Sequence, residues 1–362
     1  MARIRSVAIV GCGIGRTHIV EGYRRHPDKF RVLALCDLDP ARLSAVGDEL
    51  AIARRTAAFD EVLRMDDVEI VDICTPPALH VPQALAALAA GKEVVCEKPL
   101  AGSLADADRL IEAERRATTR VMPVFQYRFG NGLQKARRIV ESGLAGKPYL
   151  ATVETAWKRG AKYYSVPWRG RWATELGGVL LTQAIHSHDI MTYLMGPVAS
   201  VFARTATRVN PIEVEDCAVA SLVMESGALV SLAATLGSQT EISRLRFCFE
   251  NVTFESSLAC YSPGDDPWQI VAASPEIEGR IAEALRDWAF VPSRFEGLMA
   301  RYHAALEAGT ELPVTLADAR RSLELVTALF YSAETRAAVA LPIGAVHPRY
   351  RGWRPPARDA GR

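Results

Sequence analysis

A lysine in "VCEKPL" and a histidine in "GGVLLTQAIHSHD" are the side chains of this chain best placed for proton chemistry. Lys98 follows a continuous apolar run, beside Glu97 and ahead of a proline, at a strand end where open α/β sheets bind ligands. Most lysines snorkel to the surface, but a cation held at that position can polarise a substrate oxygen. His186 lies in a stretch with helical spacing, which puts Thr182, Gln183, His186 and Asp189 on one face. Thr182 and Gln183 would hydrogen-bond a polyol without adding charge, and Asp189 is expected to orient the imidazole. The rival chemistry is a metal held by His186, His188 and Asp189. Residues two apart on a helix point to nearly opposite sides, and helical two-histidine sites are spaced four apart, so no metal is expected.

A second group of residues points to a nucleotide. In "VAIVGCGIGRTH", Gly11, Cys12, Gly13, Ile14 and Gly15 join the first apolar run to a helical one. Glycines there let backbone approach a pyrophosphate, and the helix N-terminus adds N–H groups and a positive dipole end. The spacing is GxGxG, with Arg16 where a third glycine usually falls. Asp37, in "CDLDP", stands about where an acid receives the adenosine ribose hydroxyls. Asp39 before Pro40 has a different task, as a helix N-cap. No arginine follows Asp37 immediately and its charge would repel a 2′-phosphate, so NAD is expected over NADP. Thr75, Pro76 and His80 in "ICTPPALH", with Glu97 and Lys98, occupy further strand ends and complete the expected cofactor contacts.

These residues need a parallel sheet to bring them together. "RSVAIV", "RVLALC", "VEIVDIC", "EVVCEK" and "VMPVFQ" are unbroken apolar runs, as in strands covered on both faces, and amphipathic segments lie between them. The alternation predicts a doubly wound Rossmann domain over residues 1–126. From 127 to 362 the pattern becomes alternating strands, with a hairpin turn at "MESGAL" and helices expected at 131–142, 178–195, 292–308 and 315–336. This is read as an α+β domain with a large, open, mainly antiparallel sheet. One face of that sheet needs cover, which predicts a homo-oligomer built on it. The Pro-rich tail "HPRYRGWRPPARDAGR" is expected to be solvated or to wrap a subunit. At 362 residues two domains are the natural division, and a net charge of +1 without a long basic run argues against nucleic acid. Seven cysteines, an odd number without CxxC spacing, read as free thiols, with Cys12, Cys36, Cys74 and Cys96 buried. No apolar stretch would span a bilayer and no signal-peptide pattern opens the chain, so a cytoplasmic protein is expected.

Together "GCGIGRTH", "CDLD", "TPPALH", "CEKPLAGS", "YYSVPWRGRW" and "GGVLLTQAIHSHD" resemble the Gfo/Idh/MocA family, in matching order from about residue 6 to 340. The resemblance implies NAD(P)-dependent oxidation or reduction of sugars and cyclitols by a dimer or tetramer. It implies that Lys98 contacts the reacting oxygen, that His186 exchanges the hydroxyl proton, and that Trp168 and Arg169 lie near the nicotinamide. Tyr163, Tyr164, Arg169, Gln183 and His303 would then shape the polyol pocket. Where many members carry an aspartate four residues before the histidine, this chain has Thr182. A non-catalytic, NAD-binding regulatory protein on the same fold is the alternative that Thr182 keeps open.

Overall fold

The computed structural model describes residues 3–354. Six parallel strands form the first sheet: β1 (Arg5–Val10), β2 (Phe30–Cys36), β3 (Arg54–Thr56), β4 (Ile70–Ile73), β5 (Glu93–Cys96) and β6 (Val121–Pro123). Their order, β3-β2-β1-β4-β5-β6, is that of the Rossmann fold, and the chain reverses direction across the sheet between β1 and β4. The helices α1 (Cys12–Glu21), α2 (Pro40–Glu49), α3 (Phe59–Leu63), α4 (His80–Ala89) and α5 (Leu104–Arg116) connect the strands. β4 is buried at every residue, the reason its sequence shows no polar alternation. Asp39 caps α2 by accepting from the amides of Ala41 and Arg42, with Pro40 in the first turn, as its sequence position predicts.

The second sheet contains β7 (Pro148–Lys158), β8 (Val198–Ala206), β9 (Cys217–Met224), β10 (Leu229–Thr235), β11 (Gly237–Phe249), β12 (Val252–Glu255), β13 (Gln269–Ala272) and β14 (Val339–Ala340). Only β7 and β10 pair in parallel; the other pairs are antiparallel. Its helices are α6 (Asn131–Glu141), α7 (Ala161–Tyr164), α8 (Val179–Thr182), α9 (Ile185–Met195), α10 (Pro275–Ala284), α11 (Arg294–Ala308) and α12 (Leu316–Thr335). α9 and α12 pack on one face. The opposite face leaves Leu150, Phe202, Val219, Val223 and Leu229 exposed on neighbouring strands.

Three expectations change. The helix foreseen over 178–195 is two helices, because the amide of Ala184 bonds back to the carbonyl of Val179 (2.8 Å), a wide i to i+5 turn of the π type. α10 was not foreseen, although Ser274 before Pro275 is a capping signal and its side chain does accept from the amide of Ile277. The tail, to the limit of the described residues, straps onto its own chain. Trp353 is buried and its indole N–H donates to Leu176 O (2.7 Å), while the Tyr350 hydroxyl donates to Asp108 (2.7 Å). Residues 355–362 lie outside the described part. Among the described residues no helix is long and apolar enough to cross a membrane. All seven cysteines are free, with Cys12, Cys36, Cys74 and Cys96 buried.

Candidate functional site

The glycine loop divides three tasks among its glycines. Gly11 has φ 97°, a left-handed conformation, and a Cβ there would lie 2.6 Å from the carbonyl oxygen of Cys74. Gly15 lets α1 close on β1, since its Cβ would fall 2.5 Å from the Ile9 side chain. It does the packing work of the missing third glycine at position 16. Gly13 faces open space, with nothing within 4 Å of an added Cβ. An approach for phosphate is therefore left clear at the N-terminus of α1.

Asp37 is buried at the end of β2 and holds this loop from below. Its Oδ2 accepts from the amide of Cys12 (2.7 Å) and its Oδ1 from the amide of Asp39 (2.9 Å). Arg42, on the first turn of α2, reaches Oδ2 at 3.4 Å. The carboxylate is thus paired: no arginine follows it immediately, but Arg42, five residues on, reaches it. Beside it Ile14 and Leu38 are exposed apolar groups. Thr75 and Pro76 are partly exposed at the end of β4, and the Thr75 hydroxyl bonds Gln83 (2.6 Å). His80 differs from expectation. It is buried with its ring nitrogens against Pro99 O (2.8 Å) and Thr75 O (2.7 Å), so it ties two loops of the site together instead of facing a cofactor. The open glycine loop, the helix N-terminus and the buried acid fit a dinucleotide.

Lys98 does not snorkel. Its ammonium donates to the carbonyl of Thr182 (2.6 Å), the last residue of α8. Burial pushes the Lys98 pKa down, partly offset by Glu97. The π-type turn sets His186 just beyond, in the first turn of α9, stacked on Tyr127 with ring centroids 4.2 Å apart. Burial, then the charge of Lys98, hold the imidazole well below its usual range, and its buried Nδ1 has no partner among the described residues. The arrangement is a neutral base close to a fixed cation. Asp189 does not orient it. Its two oxygens take a bidentate bond from Arg128 (2.6 Å each), which also pairs with Asp318 (3.1 Å). His188 is buried with neither ring nitrogen paired among the described residues.

The expected pocket residues converge, with one exception. Gln183 donates to the Tyr163 hydroxyl (2.9 Å), and that hydroxyl also accepts from Arg169. Arg169 stacks between Tyr163 and Trp168, its guanidinium carbon 3.9 and 4.2 Å from their ring centroids. Tyr164 packs edge-on against Tyr163. The Thr182 hydroxyl is engaged with Gly178 O (2.8 Å) and Gln183 Oε1 (2.5 Å), so it braces the helix. His303 is the exception. It bonds Arg3 O (2.9 Å) and packs on Phe30, the first residue of β2, at the end of the sheet opposite the strand termini that carry the site.

Two acids escaped the sequence reading. Glu215 Oε2 accepts from the amide of Gly178 and Oε1 from that of Leu180 (3.0 Å each), capping α8, and burial pushes its pKa up to about 8. A Cβ on Gly178 would sit 1.7 Å from the Glu215 carbonyl oxygen, which explains the second glycine of the pair. Glu175 accepts from the Gly170 amide and pairs with Arg169 (3.2 Å). Glu215 lies in no local motif, so only the fold brings it to α8, whereas Glu175 closes a local turn with residues 169 and 170.

Comparison with known proteins agrees with this fold. Residues 5–125 match the oxidoreductase family model with an NAD-binding Rossmann fold, and residues 133–255 match the GFO/IDH/MocA C-terminal domain. The chain is 27% identical over 338 residues to the D-apiose dehydrogenase of Rhizobium rhizogenes, covering 90% of this chain and 94% of that one. It is 30% identical over 230 residues to the myo-inositol 2-dehydrogenase of Thermotoga maritima, covering 62% and 66%. The structure of the WlbA dehydrogenase from Bordetella pertussis, in complex with NADH and UDP-GlcNAcA, superposes with a TM-score of 0.82 at 29% identity, covering 95% of this chain and 99% of that one. With its Rossmann sheet, its second open sheet and both domain models matched, the chain belongs to the Gfo/Idh/MocA family of NAD-binding oxidoreductases.

Proposed function

We propose that this chain is an NAD-dependent dehydrogenase that oxidises a secondary hydroxyl of a sugar, sugar derivative or cyclitol. The observation that carries the reading is the bond from Lys98 Nζ to Thr182 O, which brings the β5 strand end within one helical turn of His186. His186, neutral and unpaired at Nδ1, takes the hydroxyl proton. Lys98 stabilises the negative charge that develops on the same oxygen. NAD, when bound, supplies the acceptor for the hydride. Gly11, Cys12, Gly13, Ile14, Gly15, Asp37, Thr75, Pro76 and Glu97 line or support its place, with Trp168 and Arg169 beside the nicotinamide end. Tyr163, Tyr164, Arg169 and Gln183 form the sugar pocket. Asp37 favours NAD over NADP. Residues 1–126 hold the cofactor, and 127–362 hold the substrate and pair with a second copy through the exposed sheet face.

Apiose, inositol and UDP-sugar substrates of the related proteins define the panel to test. Absorbance at 340 nm should rise when the protein and NAD meet a member of a panel of sugars, nucleotide sugars and cyclitols. NAD binding by calorimetry with no reduction across the panel would favour the regulatory alternative.

A further inference from the structure

Beneath the Lys98 loop lies a buried chain of ionisable groups that take no part in the proposed proton and hydride transfers. His18, on α1, is fully buried, with Nδ1 2.8 Å from Asp72 Oδ2 and Nε2 2.9 Å from Glu97 Oε1. The other oxygen of Glu97 accepts from the amide of Lys98 (3.0 Å). Asp72 also accepts from the Tyr23 hydroxyl (3.0 Å) and faces Cys74 Sγ at 3.4 Å. A neutral imidazole has one N–H, so with both nitrogens against carboxylates one lone pair would face an anion. A cation between them removes that conflict and compensates both buried charges. Cys74 and the Phe295 ring, 4.5 Å away, complete the surroundings of His18 and supply no other cation.

We propose that His18 is a positioning residue for the reaction: an imidazolium clamped between Asp72 and Glu97, it keeps Glu97 ionised against Lys98 and ties the dinucleotide-binding helix to the lysine loop. This rests on the reading of Lys98 as the residue that meets the substrate oxygen. Burial works against the charge on His18, but the Asp72 carboxylate holds its pKa well above the ordinary range; burial likewise works against Glu97, and His18 holds it below. Lys98 is faced by Glu97 and Glu175, which favour its proton, and by Arg169, Arg159, His80 and His186. If Glu97 loses its counter-cation and takes up a proton, Lys98 loses its first support. His18 Nδ1, Asp72 and Cys74 Sγ also lie within 4.8 Å of one another, a metal-like grouping, but the 2.8 Å contact between two of these ligand atoms is itself a hydrogen bond.

Nitrogen NMR of the full-length protein tests the clamp directly. His18 should show both ring nitrogens protonated from pH 6 to 8, and Lys98 should titrate about one unit or more lower in His18→Gln and in Glu97→Gln, with no further fall in the double variant. The basic limb of the kcat/KM profile should move down with it. Should His18→Gln not fold, Glu97→Gln and the wild-type imidazole signals carry the test. A neutral His18 tautomer, an unmoved Lys98 midpoint, or stoichiometric zinc by elemental analysis would overturn the proposal. Lys98 titration is read without turnover, so a Lys98→Met variant that stays active would refute the catalytic reading and leave the clamp standing.

Discussion

Replacing Lys98 by methionine isolates the charge that the mechanism needs. The side chain keeps most of its length, and what disappears is the ammonium on Thr182 O at 2.6 Å. A hydrogen bond from a charged donor contributes about 1.5–3 kcal/mol, but the variant also relieves the burial of a cation. The net stability loss should be about 1–2 kcal/mol, a few degrees in Tm for a chain of this size. Transition-state stabilisation has no such offset, because the oxyanion meets an apolar group where a fixed cation stood. Removal of one preorganised donor costs roughly 10²–10³ in rate, about 2.7–4 kcal/mol. The acidic limb of the profile should also move up, because Lys98 is one of the charges that hold the His186 pKa down. Initial rates at 340 nm across pH, with NAD affinity by calorimetry and Tm by differential scanning, read all three quantities. Turnover within about fivefold of the parent would refute the reasoning. So would a loss of rate accompanied by loss of NAD binding.

His186→Ala should lose roughly 10²–10⁴ in kcat while NAD affinity stays unchanged, since its ring contacts are Tyr127 and Phe125 and not the glycine loop. Calorimetry should show NAD binding clearly tighter than NADP, and Asp37→Ser should narrow the gap both by removing the carboxylate and by freeing Arg42 for a 2′-phosphate; equal affinities in the parent would refute this. Asp189→Asn breaks a buried bidentate pair and should cost about 3–5 kcal/mol in urea unfolding, with Asp318 alone left to neutralise Arg128; a cost under about 1 kcal/mol would mean the cluster is looser than its geometry. Light scattering should give an oligomer for the parent and a smaller species for Val219→Glu with Val223→Glu, two exposed positions on the open sheet face.

Much of the molecule is legible along the chain because it rests on local rules. Apolar runs of β1, β4 and β5 announce a sheet covered on both faces, Gly11 and Gly13 announce a close backbone approach, and Asp39–Pro40 announces a helix start. Lys98 and His186 stood out for the same reason, as reactive residues at a strand end and on a helix beside a glycine pair. Tertiary structure decided how they are held. A 182–189 helical face drawn from spacing assumes 3.6 residues per turn, and one i to i+5 bond at Ala184 rotates the second helix away from the first. Asp189 then turns to Arg128, 61 residues away in sequence. His303 reads as a pocket histidine, yet α11 carries it to the wrong end of the Rossmann sheet. Glu215 and His18 gave no signal, because a buried charge is recognised by its partners, and theirs lie 35 to 79 residues away. Sequence alone therefore determined the parallel, doubly wound sheet and the cofactor class, and it singled out Lys98 and His186 as candidates, all from short-range properties. Which carboxylate meets which cation was decided only when the fold excluded water and forced each buried charge to find its complement.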